Sequence, residues 1–393
     1  MKKVLKYIFI MIGCLGVVSC VYPFTPEGVE EEVGLLVMEG DINAGISSTF
    51  VPTRSISLTD ASQEVRAVEL SDIYVESETG AKYGLLEKVE SSDNRFLNNR
   101  KLSYVLDTEK LDEKSKCRLV FAADGKSYMT DWLEFIPTSP IDSVTYSIAE
   151  DLTHLDIHVH TTGLNDSLKY YKWDYREDWE FNTYFKQEIY YYPDSNQVYS
   201  YSYEDDFSPY YTCWNSSVSS DINIFSTESL TENVVKYHPI RTIGKTDKRL
   251  SYLYAIEVYQ KALSKEAYKY WETLLKNNDG SSGIFAPQPN EMRGNIHCVD
   301  NGDEMVLGYI SCCSISRKRI FISRTDHKIY LSDDVCTQEA KDVELWGNMY
   351  RSGWDVVFAD PLSGQVMWAP KKCVDCRVYG NKNKPDFWPN DHK

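Results

Sequence analysis

Short strands separated by turns recur along this chain, and this pattern limits the possible folds more than any other feature of the sequence. Residues 154–161 alternate strictly: Leu155, Ile157 and Val159 share one face, and polar residues occupy the positions between them. A period of two residues is typical of a β-strand with one buried face. Similar runs, separated by turn residues, begin at Gly34. The sequence therefore predicts a mainly β fold.

Two prolines divide the predicted strands into two groups. Pro137 and Pro140 follow the first group, which begins at residue 34. A segment of about 100 residues with short strands is typical of a β-sandwich. The sequence therefore predicts an Ig-like or transthyretin-like sandwich at 34–138, followed by a larger β-rich domain at 139–393.

The second domain contains one clear helical pattern, at residues 264–278. Ser264 is a favourable N-cap, and Glu266 places a negative charge in the first turn. Ala267 and Trp271 fall on one face at helical spacing. We expect at least this helix to pack against the strands.

The first twenty residues have the composition of an export signal. Two lysines precede a mostly apolar run at 4–18, which is shorter than the roughly 20 residues that a spanning helix needs. The following segment, Val17-Val18-Ser19-Cys20, resembles the lipobox of bacterial lipoproteins. The sequence predicts a signal peptide at 1–19, lipidation of Cys20 and an acidic tether at 20–33 that joins the membrane to the first domain.

Charge and motifs exclude several functions. The formal net charge is −17, which argues against binding nucleic acid. The sequence contains no HExxH, GxSxG or P-loop motif. We therefore predict a protein that is not an enzyme and needs no cofactor. A hydrolase with an unrecognised pair of carboxylates is the alternative.

Four polar residues on one strand could hold a metal ion. His154, Asp156, His158 and His160 alternate with the apolar residues of the same run. Side chains two residues apart on a strand share a face and can ligate one ion. The alternative, which we favour, is a solvated strand face with no metal.

Aromatic residues are concentrated between Tyr170 and Trp214, where 18 of 45 positions are Tyr, Trp or Phe. Tyr171, Trp173 and Tyr175 share one face of a predicted strand, and we expect them in the core. The later tyrosines predict a hairpin or long loop that contacts a ligand or partner, because tyrosine combines apolar area with a polar group. These candidate binding residues are Tyr190, Tyr191, Tyr192, Tyr199, Tyr201, Tyr203, Tyr210 and Tyr211.

Eight cysteines follow Cys20 in the chain. Cys373 and Cys376 have CxxC spacing and are candidates for disulfide bonding, with a zinc or redox site as the alternative. Cys117 is isolated in the first half and is expected to be a buried free thiol. The sequence does not choose among the possible pairings.

The order of several motifs resembles a family of Bacteroidota outer-membrane lipoproteins that is known only as a domain of unknown function. The matching blocks are Cys20-Val21-Tyr22-Pro23-Phe24, Val37-Met38-Glu39-Gly40, Pro140-Ile141-Asp142-Ser143-Val144, Tyr171-Lys172-Trp173-Asp174-Tyr175, Trp179-Glu180-Phe181, Cys213-Trp214, Ala267-Tyr268-Lys269-Tyr270-Trp271, Phe285-Ala286-Pro287-Gln288-Pro289, Gly294-Asn295-Ile296, Val306-Leu307-Gly308-Tyr309, Cys373-Val374-Asp375-Cys376-Arg377 and Lys384-Pro385-Asp386-Phe387-Trp388.

This resemblance implies a lipid-anchored, surface-facing outer-membrane protein that assists a TonB-dependent receptor. It would bind a nutrient ligand or dock on the barrel of the receptor. The resemblance implies no catalytic residues. A structural or adhesive envelope protein is a further alternative.

Overall fold

The structure, a computed structural model, describes residues 34–56, 66–92, 100–201, 208–278, 293–332 and 335–390. Strands account for 48% of the residues and helices for 11%, which confirms the predicted mainly β class. The predicted leader, Cys20 and the tether lie outside the described residues, and so does Tyr203.

Short strands occupy every part of the described chain. The first group consists of β1 (Leu36–Gly40), β2 (Ile42–Asn43), β3 (Ser48–Arg54), β4 (Arg66–Ala67), β5 (Leu70–Ser77), β6 (Lys82–Tyr83), β7 (Leu85–Ser92), β8 (Arg100–Leu106), β9 (Cys117–Ala123) and β10 (Lys126–Thr130). The second group consists of β11 (Ile141–Ile148), β12 (His154–Thr162), β13 (Tyr170–Asn182), β14 (Ile189–Tyr192), β15 (Gln197–Ser200), β16 (Thr212–Val218), β17 (Asn223–Ser226), β18 (Val234–Gly244) and β19 (Leu253–Ala262).

Helix α1 (Lys265–Asn278) follows these strands. The remaining strands are β20 (Ile296–Cys298), β21 (Val306–Leu307), β22 (Cys312–Cys313), β23 (Ser316–Ser323), β24 (Glu339–Ala340), β25 (Trp354–Ala359) and β26 (Val366–Pro370). Short helices connect some of the strands: α2 (Arg324–His327), α3 (Trp346–Arg351) and 3-10 turns at Lys248–Leu250, Val343–Leu345, Lys371–Cys373 and Cys376–Val378.

Two sheets with a common core form what we call the first sandwich. One sheet has the order β21-β1-β3-β8-β7, with β4 beside β3, and the other has the order β20-β10-β9-β5-β6. Phe50 and Tyr104 from one sheet share a buried cluster with Phe121 and Tyr128 from the other. Burial of one large apolar side chain contributes about 1.5–3 kcal/mol relative to exposure. This shared core is therefore what holds the two sheets together.

The first sandwich is discontinuous in sequence. Strand β21 pairs in parallel with β1, β22 pairs in parallel with β2, and β20 pairs with β10. Gly308 has a φ of +119°, and an added Cβ would lie 2.2 Å from the carbonyl oxygen of Met38. A residue without a side chain suits both the φ angle and the close approach. The predicted boundary at residue 138 is therefore incomplete, because residues 296–313, assigned to the second domain, return to the first sandwich.

A second sandwich contains the aromatic strand. Its two sheets have the orders β11-β12-β18 and β16-β13-β19-β23, with β17 beside β13. Tyr171, Trp173 and Tyr175 of β13 are buried against Leu155 and Ile157 of β12. The expectation that these three aromatic residues belong to the core is confirmed.

The predicted helix is confirmed as α1. The Ser264 hydroxyl accepts a hydrogen bond from the backbone N–H of Ala267 at 3.1 Å, which is the N-cap interaction that the sequence predicted. Ala267 and Trp271 pack with Tyr170 and Leu263. The helix therefore covers part of the sheet that contains β13.

An ionic cluster joins the two sandwiches. Lys261 of the second sandwich lies 2.8 Å from a carboxylate oxygen of Asp41 in the first, and 3.4 Å from Asp174. Lys172 also contacts Asp174, at 2.6 Å. Burial opposes the ionisation of Asp174, but the two lysines outweigh it and hold the pKa of Asp174 below its usual value. Both sandwiches thus depend on charges supplied by the other at this joint.

The C-terminal unit, residues 335–379, packs against the second sandwich. Its three-stranded sheet has the order β24-β26-β25. Two disulfides hold it: Cys336–Cys373 closes the unit, and Cys213–Cys376 ties it to β16. The two cysteines of the CxxC motif are therefore both disulfide-bonded, each to a distant partner and not to each other. In the structure Cys117 is buried and its thiol is unbonded, as the sequence predicted.

Candidate functional site

The tyrosine-rich segment forms a hairpin whose inner face is anchored on the C-terminal unit. Strands β14 and β15 pair, with Tyr190 opposite Tyr199. Tyr191 points inward, is 7% exposed, and its ring lies 5.2 Å from that of Trp368 and 6.3 Å from that of Trp346. The prediction that Tyr191 binds a ligand or partner is wrong, because alternation along the strand places this side chain in a core.

The outer face of the same hairpin presents three exposed tyrosines, which we call the tyrosine face: Tyr190, Tyr192 and Tyr199. The rings of Tyr190 and Tyr199 stack across the two strands with centroids 5.7 Å apart. The Tyr199 hydroxyl donates to the side chain of Gln197 at 2.7 Å. These contacts fix the rings in place while leaving much of their surface accessible to a partner.

The other predicted tyrosines that the structure describes, Tyr201, Tyr210 and Tyr211, are half-buried. Tyr201 donates to the side-chain oxygen of Gln187 at 3.2 Å, and burial raises its pKa. The Arg377 guanidinium lies 3.4 Å from the ring centre of Tyr210. Tyr211 lines a cleft. The structure thus brings most of the predicted residues together, but only the tyrosine face is freely exposed.

A cleft with a volume of about 320 Å³ lies beside the residues that precede the hairpin, since Ser208 of its lining donates to the carbonyl of Gln187. It is lined by Glu180, Asn182, Lys186, Ser208, Tyr211, Thr212, Tyr252 and Lys382. Strand β13 supplies Glu180 and Asn182, strand β16 supplies Thr212, and the C-terminal segment supplies Lys382. The cleft is therefore formed by parts of the chain that are about 200 residues apart in sequence.

The chemistry of the cleft is that of a binding site for a polar ligand. The ammonium group of Lys186 lies 4.9 Å from the ring centre of Tyr211, and that of Lys382 donates to the backbone carbonyl of Thr212 at 2.8 Å. Glu180 is 6% exposed and accepts a hydrogen bond from the indole of Trp388 at 2.8 Å. The lining contains two lysines and one glutamate, and this excess of positive charge in a chain of net charge −17 favours a ligand that carries negative charge.

Sequence reasoning found Tyr211 and missed the lysines. Neither Lys186 nor Lys382 lies in a recognisable motif. The Cys213–Cys376 disulfide and the antiparallel pairing of Trp214 with Asn381 bring the C-terminal segment to β16 and place Lys382 in the same cleft as Tyr211. The position of Lys382 in the cleft could not be predicted from the sequence without knowing which cysteines pair.

The histidine strand has the predicted alternation but its polar side chains bond to neighbours. His160 lies 2.9 Å from the hydroxyl of Thr145, and His154 lies 3.3 Å from a carboxylate oxygen of Asp156. The other oxygen of Asp156 accepts from Thr242 at 2.5 Å. Within the ranges that the structure describes, no three His, Cys, Asp or Glu side chains are grouped so that they could hold a metal ion. His158 lies on the same face, with its ring 6.1 Å from that of Tyr237.

A different histidine should make stability depend on pH. His238 packs on Trp173 and lies 2.7 Å from the side-chain oxygen of Asn223. Burial, aided by the charge of His158, lowers the pKa of His238 to about 4. The unfolded chain binds this proton near pH 6.5 and the folded chain does not, so the folded state loses stability as the pH falls from 6.5 toward 4. We expect the wild type to lose about 2 kcal/mol more than His238→Gln between pH 7 and 4.5.

Urea unfolding at the two pH values measures this difference. His297→Gln is the matched control, because the side chain of His297 is 56% exposed, and it should follow the wild type. Parallel curves for the wild type and His238→Gln would show that His238 does not titrate in this range.

The structure has no described helix that is long and apolar enough to cross a membrane.

Comparison with known proteins places most of the chain in one family. No curated protein is significantly similar to the chain. A family model described as "Domain of unknown function (DUF4249)" matches residues 21–319. The match includes the first sandwich, the tyrosine hairpin and the second sandwich as far as residue 319 in β23, and it ends before the C-terminal unit on which the hairpin packs. The chain therefore belongs to the DUF4249 family.

Proposed function

We propose that the chain is a non-enzymatic outer-membrane lipoprotein that assists a TonB-dependent transporter and docks on the barrel of that transporter through the tyrosine face. Lipid on Cys20 would hold the protein at the membrane, facing the cell surface. The observation that carries the proposal is the exposure of three tyrosines on a hairpin whose other face is anchored in a core.

The physical chemistry of the tyrosine face favours a protein contact. Tyrosine offers a large, rigid ring with few rotatable bonds and is enriched in interfaces. Tyr191 already fixes the hairpin to Trp368, so little conformational entropy remains to be lost on docking. An aromatic face held in this way suits a partner with a preformed surface.

The disulfides support an exported protein. Cys213–Cys376 and Cys336–Cys373 require an oxidising compartment to form and persist. This requirement agrees with the export signal that the first residues predict. A cytoplasmic role would leave both bonds unexplained.

The cleft is the second element of the proposal. Its lining residue Lys186 lies three residues before the hairpin, and Lys186 and Lys382 favour a negatively charged polar compound. In this proposal the tyrosine face contacts the transporter and the cleft binds its cargo.

Co-purification from the native outer membrane tests the docking role. We expect a transporter barrel to co-purify with the lipidated wild type, and its recovery to fall at least about tenfold when Tyr190, Tyr192 and Tyr199 are all changed to serine, as for the loss of interface hot spots. Tyr237→Ser is the matched control: Tyr237 is 70% exposed but lies on the second sandwich, and this variant should retain the barrel.

A Cys20→Ala variant separates anchoring from docking, because it should appear in the soluble fraction. Full recovery of the barrel by the triple serine variant would contradict the proposed role of the tyrosine face. A purified wild type that has no barrel and cleaves glycans or peptides would instead support the hydrolase alternative.

A further inference from the structure

Two buried cysteines from distant parts of the chain meet in the core of the first sandwich. Cys117 begins β9 and Cys312 begins β22, and 195 residues separate them. Their sulfur atoms lie 3.2 Å apart, and the side chains are 0% and 1% exposed. We propose that Cys117 and Cys312 form a third disulfide in the exported protein.

The geometry requires only a small movement of the two side chains. A disulfide needs its sulfur atoms about 2.05 Å apart, so the two atoms must approach by roughly a further 1 Å. The backbones are already fixed nearby: Cys117 bonds to Leu133 in both directions, and the Cys312 carbonyl accepts from Ile136 at 2.9 Å. We therefore expect rotation about the side-chain bonds to supply this approach while the strands stay in place.

The other two buried thiols have polar neighbours of a different kind. Cys298 lies close enough to Glu304 to help lower the pKa of that carboxylate, after Lys126 and Tyr128. Cys313 follows Cys312 in β22, where successive side chains lie on opposite faces, and burial together with the charge of Asp41 raises its pKa to about 12. These two cysteines therefore serve as internal controls for the pair.

Oxidation of the two thiols to a disulfide requires an oxidant, which the compartment must provide. A disulfide-bearing protein oxidoreductase accepts attack by one cysteine thiolate and forms a mixed disulfide. The second thiol loses its proton and displaces the oxidoreductase sulfur, which leaves as a thiol. Two protein thiols become one disulfide, and the disulfide of the oxidant becomes a dithiol. Because both cysteines are buried, this exchange takes place before the core closes.

The bond would lock the segment that returns to the first sandwich. Ser311, the neighbour of Cys312, donates its N–H to Asp41 at 3.0 Å, and Asp41 in turn binds Lys261 of the second sandwich. A covalent link at Cys312 therefore holds the returning segment beside the ionic joint. It also closes a loop of 195 residues, which strongly restricts the unfolded chain.

Peptide mapping of the full chain, exported with its own leader, tests the proposal. The protein is denatured without reductant in the presence of an alkylating reagent and then digested. We expect one linked peptide pair that contains Cys117 and Cys312, beside the two disulfides described above. Cys298 and Cys313 should be fully alkylated. Alkylation of both Cys117 and Cys312 in the exported wild type would overturn the proposal, and so would a link from either of them to a different cysteine.

Two variants extend the test. In Cys117→Ser, Cys312 should become alkylated, whereas in Cys298→Ser the link should persist. The double variant Cys117→Ala/Cys312→Ala should unfold at a temperature roughly 5–10 °C below that of the wild type, as expected for the loss of a disulfide that closes a long loop. A Tm equal to that of the wild type would contradict a stabilising link.

Discussion

Replacing Lys261 with methionine should destabilise the protein by about 3 kcal/mol, because it leaves a buried carboxylate without its cation. Asp41 would lose the ammonium group that now lies 2.8 Å away, and it has a side-chain exposure of only 13%. Asp174 would be affected less, since Lys172 remains 2.6 Å from it. Urea unfolding at pH 7 measures the change in the free energy of unfolding.

The matched control is Lys265→Met. Lys265 also forms an ion pair, with Glu228 at 2.7 Å, but both side chains are about half exposed, so the urea midpoint should not change measurably. Adding Asp41→Asn to Lys261→Met should recover part of the lost stability, because the neutral amide no longer needs a cation. If Lys261→Met has the same urea midpoint as the wild type, the ion pair of Lys261 with Asp41 does not stabilise the joint between the sandwiches.

The second large effect is expected for Tyr191→Ala, which should cost about 3 kcal/mol. The change removes a ring that packs on Trp346, Trp368 and Tyr350, and leaves a cavity between the hairpin and the C-terminal unit. The hairpin should then exchange its amide hydrogens faster. Urea unfolding, together with hydrogen exchange at residues 189–200, measures both consequences.

Tyr192→Ala provides the comparison within the same strand. The side chain of Tyr192 is 51% exposed and points away from the C-terminal unit, so its loss should change stability by less than about 0.5 kcal/mol. Equal losses of stability for Tyr191→Ala and Tyr192→Ala would mean that the two faces of the hairpin are not distinguished as described.

Local sequence patterns predicted individual strands and the main helix well, because these patterns depend only on residues that are close together in sequence. The alternation at residues 154–161 placed Leu155 and Ile157 in a core, and both are fully buried. The N-cap at Ser264 was readable because its partner, Ala267, is three residues away. Applied to the hairpin, the same alternation would have separated Tyr191 from its neighbours Tyr190 and Tyr192.

Contacts between residues far apart in sequence could not be predicted from local sequence patterns. Leu36 pairs with Val306, and no periodicity connects two strands so far apart. The cysteine pairs were equally hidden, because eight cysteines allow 105 full pairings. One of those pairs, Cys213–Cys376, and the pairing of Trp214 with Asn381 bring Lys382 to the cleft, so Lys382 could not be assigned to the candidate site from the sequence.

Site-specific photocrosslinking tests the central claim, that the tyrosine face contacts a transporter barrel. A photoreactive phenylalanine derivative is placed at Tyr192 in the lipidated protein, in cells that express the transporter, and at Tyr237 as the exposed control on the second sandwich. We predict a crosslink to the barrel from position 192 and none from position 237. A barrel crosslink from position 237 only, or none from position 192, would contradict the claim.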